Sequence, residues 1–189
     1  MPPAGLIFDF DGTLVDTMPI HWEAWTEVAH HHHFHLAKDR FYALAGIPSR
    51  DIIRVINQEQ QLTLDPHQVG LAKENAYLAR LDQVKPIEAI LQIVRAHLSV
   101  VPMAVATGGS RRVVHQVMDH LQLRQFFPVI VTNEDVQHQK PAPDLFLEAA
   151  RRLGVRPERC RAYEDADLGL QAIRAAGMEA VDVRALCAA

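Results

Sequence analysis

Ala4-Gly5-Leu6-Ile7-Phe8-Asp9-Phe10-Asp11-Gly12-Thr13 starts as an unbroken apolar run and stops at two acids, a glycine and a hydroxyl residue. A short apolar run closed by turn residues is the pattern of a buried strand ending in a polar loop. The pattern recurs at residues 102–106 before Thr107-Gly108-Gly109-Ser110, at 129–131 before Thr132-Asn133-Glu134-Asp135, and at 160–163 before Glu164-Asp165, with a last strand at 180–183. Helical patterns lie between them: 86–97, 111–121 with Ser110 as the expected N-cap, 144–153 stopped by Gly154, and 169–176 stopped by Gly177. Strand alternating with helix predicts an α/β fold, a doubly wound parallel sheet with a Rossmann-like core. Such sheets bind ligands outside the carboxyl ends of their strands, where Asp9, Asp11, Thr107, Glu164 and Asp165 fall.

One segment breaks the alternation. About seventy residues separate the first strand from the next core helix, far more than a strand-to-helix loop needs. Helical patterns at 19–33, 38–45, 49–59 and 66–81 fill it. The expected organisation is a core of residues 1–15 and 86–189 with a helical cap of 16–85 over the crevice, hinged near 15–17 and 83–86.

Composition narrows the class. Of 189 residues, 49% are hydrophobic and 22% charged, near the globular average, which argues against disordered and fibrous alternatives. With 19 Lys+Arg against 23 Asp+Glu the net charge is −4, so no global basic field draws nucleic acid or an anionic membrane. No apolar stretch approaches the roughly 18 residues of a spanning helix, and no basic stretch precedes a signal-like core. A cytoplasmic monomer is expected. Cys160 and Cys187 sit at no metal-like or redox-like spacing, so reduced thiols are expected.

The strand ends carry the chemistry. Asp9 and Asp11, two apart, face one side if the strand extends that far, and a bound cation would keep such a pair ionised. The plain alternative is a solvated turn acid beside a helix cap. Residues 107–110 offer a hydroxyl, free N–H groups and a helix N-terminus to an anion. Lys140, in Gln139-Lys140-Pro141-Ala142-Pro143-Asp144, is mounted in a stiff loop that suits a charge aimed at phosphate. Glu164 and Asp165 add oxygens to a site suited to Mg²⁺. Asp167 reads as a favourable charge at a helix start. The histidines at 30–33 and 35 splay around a helix end and do not converge on a metal, and Trp22 and Trp25 read as cap core.

Taken in order, Asp9-Phe10-Asp11-Gly12-Thr13, Thr107-Gly108, Lys140-Pro141-Ala142-Pro143-Asp144 and Glu164-Asp165 resemble the four motifs of the haloacid dehalogenase-like phosphohydrolases, over nearly the whole chain. The helical insert is similar to the cap of the β-phosphoglucomutase-like subgroup, and in detail the chain resembles the small bacterial fructose-1-phosphate phosphatases. The resemblance implies Asp9 as the nucleophile that forms an aspartyl-phosphate. It implies Asp11 as general acid to the leaving alkoxide, then general base to water. Two easier steps replace one hard displacement, and a neighbouring carboxyl passes the proton each way. By the same likeness Mg²⁺ is held by the Asp9 side chain, the Asp11 carbonyl and Asp165, with Glu164 ordering its water. Thr107, the Gly108 backbone and Lys140 clamp the phosphoryl oxygens.

Within the cap, His21, Arg50 and Lys73 match mutase residues that couple closure and hold a distal phosphate; the plain alternative leaves Arg50 and Lys73 as solvated helix residues. The second motif lacks the lysine that the mutase pattern carries shortly after its serine, which favours a phosphatase for a small phosphosugar over a mutase. A phospho-accepting receiver module shares acids, a hydroxyl and a lysine, but has no place for the cap or the late acid pair.

Overall fold

The structure, a computed structural model, describes residues 2–187, with the side chain of Cys187 outside what is described. The thiol state expected of Cys187 therefore lies outside the described residues, while Cys160 is a buried free thiol. In chain order the elements are β1 (Gly5–Phe8), β2 (Val15–Asp16), α1 (Met18–His31), α2 (Lys38–Ala43), α3 (Ser49–Gln60), α4 (Pro66–Leu78), β3 (Lys85–Pro86), α5 (Glu88–His97), β4 (Met103–Ala106), α6 (Arg111–His120), β5 (Val129–Val131), α7 (Asp144–Leu153), β6 (Cys160–Glu164), α8 (Asp167–Ala175), β7 (Glu179–Asp182) and α9 (Arg184–Cys187). The expected parallel α/β sheet is present, in the order β5-β4-β1-β6-β7.

β1 is central, with Phe8 in register with Val105 of β4 and Tyr163 of β6. Alternation along it divides the core. Leu6 and Phe8 join Val105, Ile90 and Val117 on one face, and Ile7 joins Ala104, Phe146 and Ile173 on the other. Each fully buried side chain of this size contributes about 1.5–3 kcal/mol, which is why the chain tolerates four acids at one end of its sheet.

Helices α1 to α4 form the cap, built around buried Trp25, Ile53 and Tyr77. α4 begins cleanly, because Asp65 accepts the N–H groups of His67 and Gln68 at 2.8 and 3.2 Å and Pro66 needs no N–H partner. The segments expected as hinges are paired: β2 and β3 run antiparallel, Val15 opposite Pro86 and Asp16 opposite Lys85. The chain thus leaves and re-enters the sheet layer side by side.

Two local expectations are corrected. Ser110 holds the expected N-cap position of α6 but its side chain makes no capping bond; its hydroxyl is buried without a partner, and the Arg111 N–H donates to Glu134 at 3.0 and 3.2 Å. The strand does not extend through both acids, because β1 ends at Phe8. Asp167 is the first residue of α8, the helix-start charge that the sequence read, and it also pairs with Arg184 at 2.9 Å.

Candidate active site

Asp9 follows the last residue of β1 and still donates its N–H to Tyr163 at 3.0 Å. The chain then turns, with the N–H groups of Thr13, Leu14 and Val15 converging on the Phe10 carbonyl. Gly12 has φ +82°, and a Cβ there would lie 2.4 Å from Asp165 Oδ2, so glycine supplies both the dihedral and the room. Asp9 and Asp11 line one cavity through this turn, not through strand alternation.

Lys140, on the loop before α7, is buried behind Asp9, and its ammonium donates to Asp9 Oδ1 at 2.5 Å and Glu164 Oε2 at 2.6 Å. The charge that the sequence aimed at phosphate is therefore spent first on two carboxylates. Glu164 uses its other oxygen to accept the N–H groups of Asp165 and Ala166 at 3.0 and 2.9 Å. It braces the loop at the end of β6. Asp165 accepts the Thr13 hydroxyl at 2.9 Å.

Asp9, Glu164 and Asp165 each present an oxygen within 4.8 Å of the others. Burial, then the charge of Glu164, pushes the Asp9 carboxyl well above the usual carboxylate range, and the same two causes lift Asp165 to about 7. One lysine does not balance three clustered acids, two of them buried. The excess of hard oxygen donors fits a divalent cation such as Mg²⁺.

Asp11 faces the cap. Its Oδ1 accepts the Thr17 hydroxyl at 2.8 Å and His21 Nε2 at 3.0 Å, and the Lys73 ammonium donates to His21 Nδ1 at 2.7 Å. Lysine has only protons to give, so Nδ1 accepts and Nε2 carries the hydrogen. Burial, then the Lys73 charge, lowers the His21 pKa and keeps the ring neutral. Burial alone would raise Asp11, but His21 and Thr17 outweigh it and hold the carboxyl below its ordinary value. Burial brings Lys73 down to about 8. Tyr77 stacks on the imidazole with centroids 4.1 Å apart.

Thr107 and Gly108 line the same cavity, with the Thr107 hydroxyl accepting the Gly109 N–H at 3.0 Å. The cap loop lies directly over them: a Cβ on Gly108 would stand 2.1 Å from the Gly46 carbonyl oxygen. Arg50 is not brought to the acids; it is exposed and lines an adjoining cleft with Glu74, Arg112 and Glu134. His30, His31, His33 and His35 are exposed, and among the described residues the acid triad is the one metal-like group. Trp25 is buried in the cap as expected, with Trp22 partly buried against Phe41.

Sequence reasoning missed Thr13, Thr17 and Asn133, whose side chain donates to the Gly108 carbonyl at 3.0 Å. Thr13 had a signal, since it closes the first motif. Thr17 and Asn133 had none beyond adjacency to a hinge and a strand end.

The model of one protein family, described as haloacid dehalogenase-like hydrolase, matches residues 6–183. The chain belongs to that family. It is 45% identical over 186 residues to fructose-1-phosphate phosphatase YqaB of Escherichia coli, covering 97% of both chains. It is 30% identical over 185 residues to β-phosphoglucomutase of Bacillus subtilis, covering 94% of this chain and 82% of the relative. Among solved structures, β-phosphoglucomutase from Clostridium difficile superimposes with TM-score 0.87 at 25% identity, covering 96% of this hydrolase and 84% of that chain. The helical insert of this hydrolase is thus a cap of the β-phosphoglucomutase kind. No helix among the described residues is long and apolar enough to cross a membrane.

Proposed function

We propose that this hydrolase is a Mg²⁺-dependent phosphatase that removes phosphate from a small sugar phosphate of the fructose 1-phosphate kind. The mechanism rests on one observation, the Asp9 carboxylate held by Lys140 on the floor of a cavity whose roof pins Asp11. The substrate class rests on the 45% identity to a fructose-1-phosphate phosphatase.

A carboxylate oxygen of Asp9 attacks phosphorus and the bond from phosphorus to the sugar oxygen breaks, leaving an aspartyl-phosphate. The Asp11 carboxylate, held ionised at rest by His21 and Thr17, takes up a proton as the negatively charged phosphate enters the cavity and gives it to the departing oxygen. Asp11, now a carboxylate, takes a proton from water, which attacks the acyl-phosphate and returns Asp9 and inorganic phosphate. The Thr107 hydroxyl and Gly108 N–H hold the phosphoryl oxygens as charge develops, while the Lys140 charge lowers the cost of keeping Asp9 ionised. His21 and Lys73 orient Asp11. The side chains of Asp9 and Asp165 and the Asp11 carbonyl are the groups that would hold Mg²⁺, which when bound neutralises the acids and polarises the phosphoryl group. Residues 16–85 act as a cap moving about the β2–β3 pair over a core of 1–15 and 86–189, in a monomer. A sugar phosphate is too charged to leave the cytoplasm unaided, which supports a cytoplasmic site of action.

The likeness to β-phosphoglucomutases favours a second reading, a phosphosugar mutase. Purified protein with Mg²⁺ and either fructose 1-phosphate or β-glucose 1-phosphate separates them. Free phosphate from the first, abolished by EDTA, supports the phosphatase; glucose 6-phosphate without free phosphate from the second supports the mutase. Asp9→Asn is expected to stay folded and form no phosphoenzyme. Full turnover by that variant, with deamidation excluded by mass, overturns the nucleophile assignment.

A further inference from the structure

Arg112 is the second residue of α6, four positions after the phosphate-facing Gly108. Its guanidinium crosses to the cap, where Nη2 donates to Asn75 Oδ1 at 2.9 Å and Glu74 Oε2 at 3.3 Å. Glu74 and Asn75 directly follow Lys73 on α4. Lys73 is buried against His21, which is bonded to Asp11. One turn of α4 therefore carries two attachments that point in different directions, one inward to the catalytic acid and one across to the core helix behind the phosphate loop.

From this geometry we infer that Arg112 is a positioning residue: it sets the register of α4 on the core, so that Lys73 and His21 meet Asp11 only when the cap is seated. This inference rests on the phosphatase reading, whose phosphoryl-transfer chemistry gives Asp11 a proton to manage. An α-helix is stiff along one turn, so a shift of Glu74 and Asn75 away from Arg112 moves Lys73 by a similar amount. A hydrogen bond such as that between Lys73 and His21 weakens steeply once stretched or misaligned. The pair with Glu74 is partly exposed, with side chains 43% and 20% accessible, so the ionic part of the latch is open to screening by salt. Arg112 also lines the cleft beside Arg50, which leaves direct contact with substrate as the competing role.

A double-mutant cycle on the full chain with Mg²⁺ and fructose 1-phosphate decides between them. The variants are Arg112→Ala, Glu74→Gln/Asn75→Ala together, the triple combination, and Arg112→Lys. Arg112→Ala is expected to lower kcat/KM about three- to tenfold at unchanged melting temperature, the range of a hydrogen-bonded, partly exposed pair. The triple variant is expected to lose no more than either parent, and Arg112→Lys to recover part of the loss by pairing with Glu74. Raising salt should lower kcat/KM in the wild type more than in Arg112→Ala.

Losses that add in the triple variant mean that Arg112 reads the substrate directly, and they overturn the proposal. So does an Arg112→Ala enzyme as active as a competent wild type. A wild type inactive on sugar phosphates defeats the functional reading instead. Cap seating is then read without turnover, from amide hydrogen exchange of hinge peptides covering 14–17 and 84–87 in the presence of inorganic phosphate. Faster exchange in Arg112→Ala supports the latch, and identical exchange overturns it.

Discussion

Gly108→Ala probes how closely the cap must sit on the core. The added methyl would stand 2.1 Å from the Gly46 carbonyl oxygen and 3.0 Å from its carbon, both backbone atoms that cannot swing aside. Gly46 is itself held at φ +84°, which leaves its loop little freedom to re-form nearby. To reach an ordinary contact the loop must retreat by more than about 1 Å, and a misplacement of even about 1 Å costs on the order of 10²-fold in rate. This corresponds to about 2.7 kcal/mol of transition-state stabilisation. The Gly108 N–H survives the change, so inhibition by inorganic phosphate, which needs the core loop alone, should hold within about twofold. The assay is kcat and KM on fructose 1-phosphate, with the melting temperature and phosphate inhibition as controls. A loss smaller than about threefold, with both controls unchanged, would refute the idea that chemistry needs this seating.

Three further outcomes are expected. Lys140→Met strands Asp9 and Glu164 in a buried site and should cost about 3–5 kcal/mol in urea unfolding at neutral pH, with the loss shrinking in acid as the Asp9 carboxyl protonates; a loss that is flat with pH counts against the ion-pair account. Lys73, brought down by burial from 10.5 to about 8, is charged below that value. Its charge is lost as pH rises, so kcat/KM should fall on an alkaline limb near pH 8, while the burial cost of the ammonium disappears between pH 8 and 10.5 and the fold becomes more stable. Lys73→Met should accordingly be less active, lack that limb, and gain on the order of 1–3 kcal/mol at pH 7, a gain that fades by pH 10; persistence of the limb assigns it elsewhere. At the start of α6, Glu134→Ala should cost about 1 kcal/mol and Ser110→Ala almost nothing, since only Glu134 holds the Arg111 N–H; the reverse order of urea midpoints would restore Ser110 as the cap.

The sequence alone determined the five strands of the main sheet, the helices between them, the helical insert after the first strand, and the order of the four motifs. These are local properties. An apolar run such as 4–8 or 102–106 has one economical placement inside a parallel sheet, and the polar residues after it fall at the crevice. Tertiary structure decided which partners those groups meet. That Lys140 answers to Asp9 and Glu164 depends on contacts 131 and 24 residues away in sequence, and the bond from His21 to Lys73 spans 52. Glu134, and not the Ser110 hydroxyl, accepts the first N–H of α6 for the same reason, because a carboxylate from the loop after β5 reaches the Arg111 N–H across 23 positions. Pattern and spacing are written in neighbouring residues, whereas pairing, protonation and the closeness of cap to core are set by atoms that only folding brings within a few ångströms.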